Sequence, residues 1–348
     1  MTRAAAQSLA RLGSPTRLSK TVSIQTLAYL SCCLFLLAGA QAPPTASHRE
    51  NARPAAPVIS VSTVVVNVYA LVEDGKGHLL SNLGKDDFTV TEDDVPQQVQ
   101  YFSRETDAPL TLGIVVDTSP SQGNVLAIEK AEAKTLLQRA VGPNDLAFLL
   151  GFDVDVELLQ SLTCNQPLLA RAVDGTAIHV PSDAALAKMQ TDPKAGGSHL
   201  YDAIFLASNL LMKKQVGRKV LVLLTDGEDS GSVVTLEAAL EAAERADVII
   251  YSVPISDRAF YLNRGMRFHG DSTLKKFSTA TGGRMSRGRD ADSTSAAFRR
   301  ITGELRGQYL LGYASDKPRD GSFRKLSVHV RNSTGRIRAR RGYYADPQ

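Results

Sequence analysis

Cysteine is scarce in this chain. Its 348 residues include three, and two of them, Cys32 and Cys33, fall within the first 40. The remainder keeps Cys164 alone, which excludes an internal disulfide, so an exported fold has to rest on core packing. No C-x-x-C or H-x-x-x-H spacing occurs, and the six His are scattered singly, which argues against a thiolate or imidazole zinc site. Cys164 is expected to be a half-buried small hydrophobe. Net charge is lacking as well. Lys and Arg number 40 against 36 Asp and Glu, and residues 1–40 hold four of the bases (Arg3, Arg11, Arg17, Lys20) and no acid. The body is therefore neutral, with no global electrostatic case for nucleic acid. Long apolar runs are missing too. Leu27–Ala38, broken only by Ser31, is shorter than the roughly 18–20 residues that span a bilayer. No phosphate loop of the G-x-x-x-x-G-K-[ST] type, no G-x-G-x-x-G opening a helix, no G-x-S-x-G, no internal repeat and no low-complexity tract is found.

The basic start, the short apolar run and Ala38-Gly39-Ala40 make residues 1–40 an expected export signal, with Ala40-Gln41-Ala42 a competing cleavage site. An uncleaved anchor is the alternative. Cleaved, the product is periplasmic, surface-attached or secreted. Residues 41–57, with four prolines between Pro43 and Pro57, read as a tether. Residues 58–105 alternate as β-strands: Val64, Val66, Val68 and Ala70 share a face, Asp74–Gly77 turns, and Phe88 and Val90 alternate with Thr89 and Thr91.

From 106 to 306 the pattern changes. Apolar runs Leu112–Val116, Leu146–Phe152, Val220–Leu224 and Val248–Val253 predict buried strands. Val125–Ala140, Tyr201–Lys213, Leu236–Ala246 and Thr294–Leu305 have helical spacing. In the first helix Ile128, Ala131, Leu136 and Ala140 are expected on the buried side; in the third, Glu237, Glu241 and Glu244 mark the wet side. Apolar runs separated by helices imply a doubly wound, Rossmann-like, mostly parallel sheet covered on both faces. After 307 the β pattern returns, with Tyr309–Tyr313, the alternating Leu326, Val328 and Val330, a turn at Asn332–Gly335, and the alternating Arg336, Arg338 and Arg340. Each flank alone is a marginal sheet, so both are expected to form one small β-sandwich into which the α/β domain is inserted.

Three loops at strand ends carry the chemistry. In Asp117-Thr118-Ser119-Pro120-Ser121 a buried strand delivers a carboxylate, and two hydroxyls follow at two-residue intervals. Gly196-Gly197-Ser198-His199 supplies a tight loop with another hydroxyl. Thr225-Asp226-Gly227 presents a second carboxylate at a strand end. These are hard oxygen donors, suited to Mg²⁺, Mn²⁺ or Ca²⁺. In an open α/β sheet they gather at the carboxyl edge, where ligands bind. The competing view makes Ser119 and Ser121 helix caps and Asp226-Gly227 a plain turn. Asp202 is expected to cap or pair within its loop, and Asp229 to orient a water.

The three elements in this order resemble the von Willebrand factor type A domain and its metal-ion-dependent adhesion site, over about residues 108–305. The resemblance implies that Asp117, Ser119, Ser121, Ser198 (where the family usually has Thr) and Asp226 surround a divalent cation. It also implies that a protein partner's Glu or Asp supplies a further oxygen. The flanks, with Lys85–Val90, Tyr309–Tyr313 and Arg341–Tyr344, are similar to the exported bacterial family called VWFA-related Acidobacterial domain proteins. The expectation is a non-catalytic, divalent-cation-dependent binding module, associated with the cell envelope or released from it. One alternative is a metal-assisted phosphatase, although Ser119 stands where such enzymes commonly need a second carboxylate. The other is a structural envelope protein with a vestigial site. Residues 284–348 hold 15 Arg and Lys against 6 Asp and Glu, read as a solvated, edge-protecting face without nucleic-acid binding.

Overall fold

The computed structural model describes residues 64–104, 108–179, 197–255, 270–288, 290–331 and 335–346. The chain divides into two units, Met1–Ser62 and Thr63–Gln348, and every described residue lies in the second. The expected signal, tether and Asn332–Thr334 turn lie outside the described residues. No helix among the described residues is long and apolar enough to cross a membrane.

The first flank forms β1 (Val64–Glu73), β2 (Phe88–Glu92), β3 (Val95–Gln97) and β4 (Val99–Arg104). Two-residue alternation buries Val66, Val68, Ala70 and Val72 on one side of β1. The turn after it forms because Asp74 Oδ1 accepts bonds of 2.8 Å from the Lys76 and His78 amides.

The α/β domain follows. It comprises β5 (Leu110–Asp117), α1 (Leu126–Ala140), β6 (Leu146–Phe152), β7 (Val156–Thr163), α2 (Gln166–Gly175), α3 (Leu200–Leu206), β8 (Arg218–Thr225), α4 (Leu236–Arg245), β9 (Val248–Pro254), α5 (Gly270–Thr281) and α6 (Ala291–Arg306). Every residue of β5, β8 and β9 is buried. Their sheet runs β7-β6-β5-β8-β9, parallel except for the antiparallel edge strand β7. Alternate side chains serve opposite layers. Leu112, Ile114, Val116, Val220, Val222 and Leu224 pack toward α1, α2 and α6. Val115, Leu221 and Leu223 pack toward α3, α4 and α5. The expected doubly wound sheet is thus observed.

Returning strands β10 (Tyr309–Ser315), β11 (Phe323–Val330), β12 (Arg336–Ala339) and β13 (Gly342–Tyr344) interleave with the first flank. One antiparallel sheet has the order β12-β1-β10-β4 and the other β13-β11-β2-β3. Val66, Val68, Phe88, Val90, Leu311, Tyr313 and Leu326 fill the core between them. Arg104 pairs with Tyr309, so the chain leaves for the α/β domain and returns from it on neighbouring strands.

Several details differ from expectation. The buried side of α1 carries Leu126, Glu129, Ala133, Leu136 and Leu137, whereas Ile128 is half-buried and Ala131 exposed. An apolar count cannot place an acid in a core, and Glu129 shifted the expected stripe. Glu244 is buried, paired with Arg341 at 3.4 Å, because the second β flank covers that end of α4. Cys164 is exposed, since the edge strand before it has no neighbour on its outer side. The basic stripe on β12 and just after it is only in part a solvated face: Arg336 is exposed, whereas Arg338 and Arg340 are paired. Arg338 lies 2.7 Å from the buried Glu304, and Arg340 pairs with Asp247 and donates to the Asn67 carbonyl at 2.7 Å. Strand β7 and helices α2 and α5 were not legible as periodic runs. Helix α2 starts because the Asn165 side chain accepts from the Leu168 amide.

Candidate functional site

Strands β5 and β8 are neighbours at the centre of the parallel sheet, and Val116 pairs with Leu224. The next residues, Asp117 and Thr225, therefore emerge side by side at the carboxyl edge, where the connections part toward opposite sides of the sheet. Asp117 is fully buried. Its Oδ1 accepts from the Ser119 amide at 3.0 Å and its Oδ2 from the Thr225 hydroxyl at 2.6 Å. Both oxygens are thereby held in place by the strand end on one side and by the turn on the other.

After Asp117 the chain makes a single helical turn, Pro120–Gln122, with Ser119 at its start and Pro120 supplying the required φ. Neither Ser119 nor the residue before α1 makes a side-chain capping bond. The hydroxyls of Ser119 and Ser121 instead lie 2.8 Å apart, and Ser121 Oγ donates to Asp226 Oδ2 at 3.0 Å. That counts against the view of these serines as helix caps. Gln122 Nε2 donates to the same Asp226 oxygen at 3.0 Å, and Asp226 Oδ1 accepts from the Glu228 amide at 3.1 Å.

Two carboxylates from distant stretches thus belong to one buried hydrogen-bonded group. Burial first, and then the negative charge of Asp226, push the Asp117 carboxyl up from 3.8 to about 7, against the lowering bonds from Ser119 and Thr225. A like charge is therefore the chief charged neighbour of Asp117. Such a pair is relieved by a proton or by a cation. The donor set decides which cation fits: two carboxylates and adjacent hydroxyls are hard oxygens that suit a divalent ion. Among the described residues no three His, Cys, Asp or Glu side chains gather as a metal cage. The hydrogen-bonded group adds the neutral oxygens of Ser119 and Ser121 to the two carboxylates.

Of the five predicted residues, Asp117, Ser119, Ser121 and Asp226 are joined in this hydrogen-bonded group. Ser198 is on the adjoining loop, half-buried, two residues before α3. Its carbonyl accepts from the Ser230 and Gly231 amides at 3.1 and 3.4 Å, and the His199 amide donates to Asp153 just beyond β6. The second loop is thereby clamped to the third. Asp229 takes part in that clamp: its Oδ1 accepts from the Tyr201 amide at 3.0 Å and from Ser232 Oγ at 2.6 Å. Asp202 reaches across to the Val233 and Val234 amides at 3.0–3.1 Å.

Four further residues were missed from sequence. Thr225 and Gln122 hold the two aspartates. Glu129 lies wholly buried on α1, and the negative charges of Asp117 and Asp226 add to burial in raising its carboxyl. Asp153, also buried, has its carboxyl raised by burial while His179 and His199 oppose the rise. The available signal was a polar residue ending an apolar run (Thr225), or an acid at i+3 from Leu126 and i−4 from Ala133 (Glu129).

Residues 112–228, about a third of the chain, match the family model of the von Willebrand factor type A domain. Similar solved structures include proximal thread matrix protein 1 from the mussel byssus, with a zinc-occupied MIDAS motif. It is 15% identical, with a TM-score of 0.47, covering 62% of this chain and 50% of that one. The chain therefore spans about half the length of the mussel protein. BatB from Bacteroides thetaiotaomicron is 18% identical, with a TM-score of 0.43, covering 56% of this chain and 97% of that one. The VWA domain of SpRpn10 is 13% identical, with a TM-score of 0.39, covering 55% and 94%. No curated protein matches the chain. The matched segment runs from within β5 through β8 and holds both aspartates, so this part of the α/β domain is similar to the von Willebrand factor type A domain. Domains of this class generally mediate protein–protein interaction and metal-dependent binding.

Proposed function

We propose that the chain is an exported bacterial, non-catalytic module that captures a carboxylate of a protein partner at a divalent cation, Mg²⁺ by preference. Asp117, Ser119, Ser121, Ser198 and Asp226 would hold the ion. The observation that carries the reading is the buried pair Asp117 and Asp226, linked through Ser119 and Ser121 and compensated by no ion pair to Asp117 among the described residues. When bound, the cation supplies a Lewis-acidic position to which a partner's Glu or Asp oxygen coordinates. The protein's own part is to keep its oxygens aimed. Thr225 and the Ser119 amide fix Asp117, and Gln122 and the Glu228 amide fix Asp226. Ser119 sits where a phosphatase of similar fold would need an acid, which favours binding over turnover. Export rests on the apolar run Leu27–Ala38 and the small residues after it.

Calorimetric titration of Mg²⁺ and Mn²⁺ into the chain tests the site. Wild type should bind one ion. Asp117→Ala should abolish binding and also the chelator-sensitive capture of partners from envelope extract, with its far-UV circular dichroism unchanged. A wild type that binds no divalent ion, or an Asp117→Ala that binds as well as wild type, rejects the reading. Turnover of a phosphate ester lost in Asp117→Asn would replace it with hydrolysis.

A further inference from the structure

Glu129 is an acid where the fold has no evident use for one. It stands in the first turn of α1, on the side shared with Leu126, Ala133, Leu136 and Leu137, and is wholly buried. Neither of its carboxylate oxygens has a hydrogen-bond partner. An unpartnered buried acceptor costs about 1–3 kcal/mol, and more when charged. An apolar side chain of similar size would avoid that cost.

The direction of the side chain indicates its purpose. Helical side chains lean toward the N-terminus of their helix, and the N-terminus of α1 follows directly on the turn that carries Ser119, Ser121 and Gln122. The charges of both Asp117 and Asp226 reach Glu129. Gln122 shares its defect. Its Nε2 must face the Asp226 carboxylate, which fixes the amide's orientation, and its buried Oε1 is left without a donor. Three buried acceptor oxygens without donors, one from Gln122 and two from Glu129, therefore lie within seven residues of each other in the stretch that follows the Asp117 loop. They do not form a cage of direct ligands, because no three acidic side chains converge closely enough among the described residues. What they lack is O–H donors, and the waters on a bound cation are strong ones.

We infer that Glu129, with Gln122, is a positioning residue of the cation site: its carboxyl oxygens accept hydrogen bonds from water on the ion. The inference rests on the cation reading above. It assigns a role to a residue outside the five-residue pattern and accounts for an acid in the helix core. Removing a group that orients a metal's ligands typically lowers affinity about 10–100-fold.

The test uses the full chain, Mn²⁺ as probe, and the variants Glu129→Gln and Glu129→Met, the second filling the space with no polar atom. Calorimetry should show Mn²⁺ binding at least about tenfold weaker in both variants. Thermal unfolding supplies a readout that a purely structural role would not move. With excess chelator both variants should unfold at or above the wild-type temperature, since a buried unpaired acid is gone. With saturating Mn²⁺ the order should reverse. Equal Mn²⁺ affinity in wild type and variants overturns the inference, as does a loss of stability that is the same with and without metal. If wild type binds Mn²⁺ and Asp117→Ala does not, while Glu129→Gln binds normally, only this inference falls. If wild type itself fails to bind, the cation reading falls and takes the inference with it.

Discussion

Asp117 illustrates how much one side chain's surroundings decide. On a strand end in water it would be an ordinary acid. Buried beside Asp226, its carboxyl rises from 3.8 to about 7. The folded, metal-free chain therefore holds this proton more tightly than the unfolded chain does. Its contribution to stability is complete below about pH 4 and is lost as the pH climbs through about 7. In chelator, the urea midpoint of wild type should fall across that window relative to Asp117→Asn, which lacks the titrating group. With saturating Mg²⁺ the trend should reverse, because the ion competes with the proton and binds better as pH rises. A parallel pH profile for the two proteins in chelator would show that Asp117 is ordinary after all.

At the scale of elements, the site depends on how α5 meets the turn after β8. Gly227 has φ +85°, and a Cβ there would lie 2.6 Å from Leu274 Cγ and 2.7 Å from the Gly270 carbonyl oxygen. Gly270, the first residue of α5, is as tightly placed, since its Cβ would lie 2.0 Å from the Asp226 carbonyl oxygen. The Gly270 amide also donates to Glu228 Oε1 at 2.9 Å. Helix and turn are thus in backbone contact directly behind Asp226. Gly227→Ala should destabilise the chain by at least about 1–2 kcal/mol from the left-handed backbone alone. It should also weaken Mg²⁺ binding by displacing Asp226. Gly303, in the open on α6, is the control: nothing lies within 4 Å of a Cβ there, and Gly303→Ala should stabilise by about 0.4–1 kcal/mol. Urea unfolding of both variants, read beside their Mg²⁺ titrations, checks the pair.

Across the whole molecule, the two flanks and the inserted domain are held by charge as well as by strand pairing. Glu304, near the end of α6, is buried and lies 2.8 Å from Arg284 Nε and 2.7 Å from Arg338 on β12. Arg284 also pairs with Glu73, the last residue of β1. Three elements and a loop from both layers of the molecule meet at these four side chains. Glu304→Ala leaves the Arg284 and Arg338 guanidinium groups to share Glu73, which lies 3.6 Å from Arg338, and removing one partner from such a network costs about 3 kcal/mol. The expected result is a lower thermal midpoint with Mg²⁺ affinity unchanged, since the network lies apart from the hydrogen bonds that hold Asp117 and Asp226. Loss of Mg²⁺ binding in Glu304→Ala would instead couple the sandwich to the site.

What could be read along the chain was what local pattern controls. Fully apolar runs such as Val220–Leu224 make a strand buried on both faces, and an acid ending such a run, Asp117 or Asp226, has to emerge at the sheet edge. The Asp-x-Ser-x-Ser spacing then sets its hydroxyls beside the carboxylate within a single turn. Only tertiary structure brought Asp117 and Asp226 together, because their approach depends on β5 and β8 being neighbours 108 residues apart in register. It also decided that Glu129 is inside and that Arg338 and Arg340 are paired. Burial of a charged group depends on what another layer lays over it, and no periodicity within its own helix or strand records that.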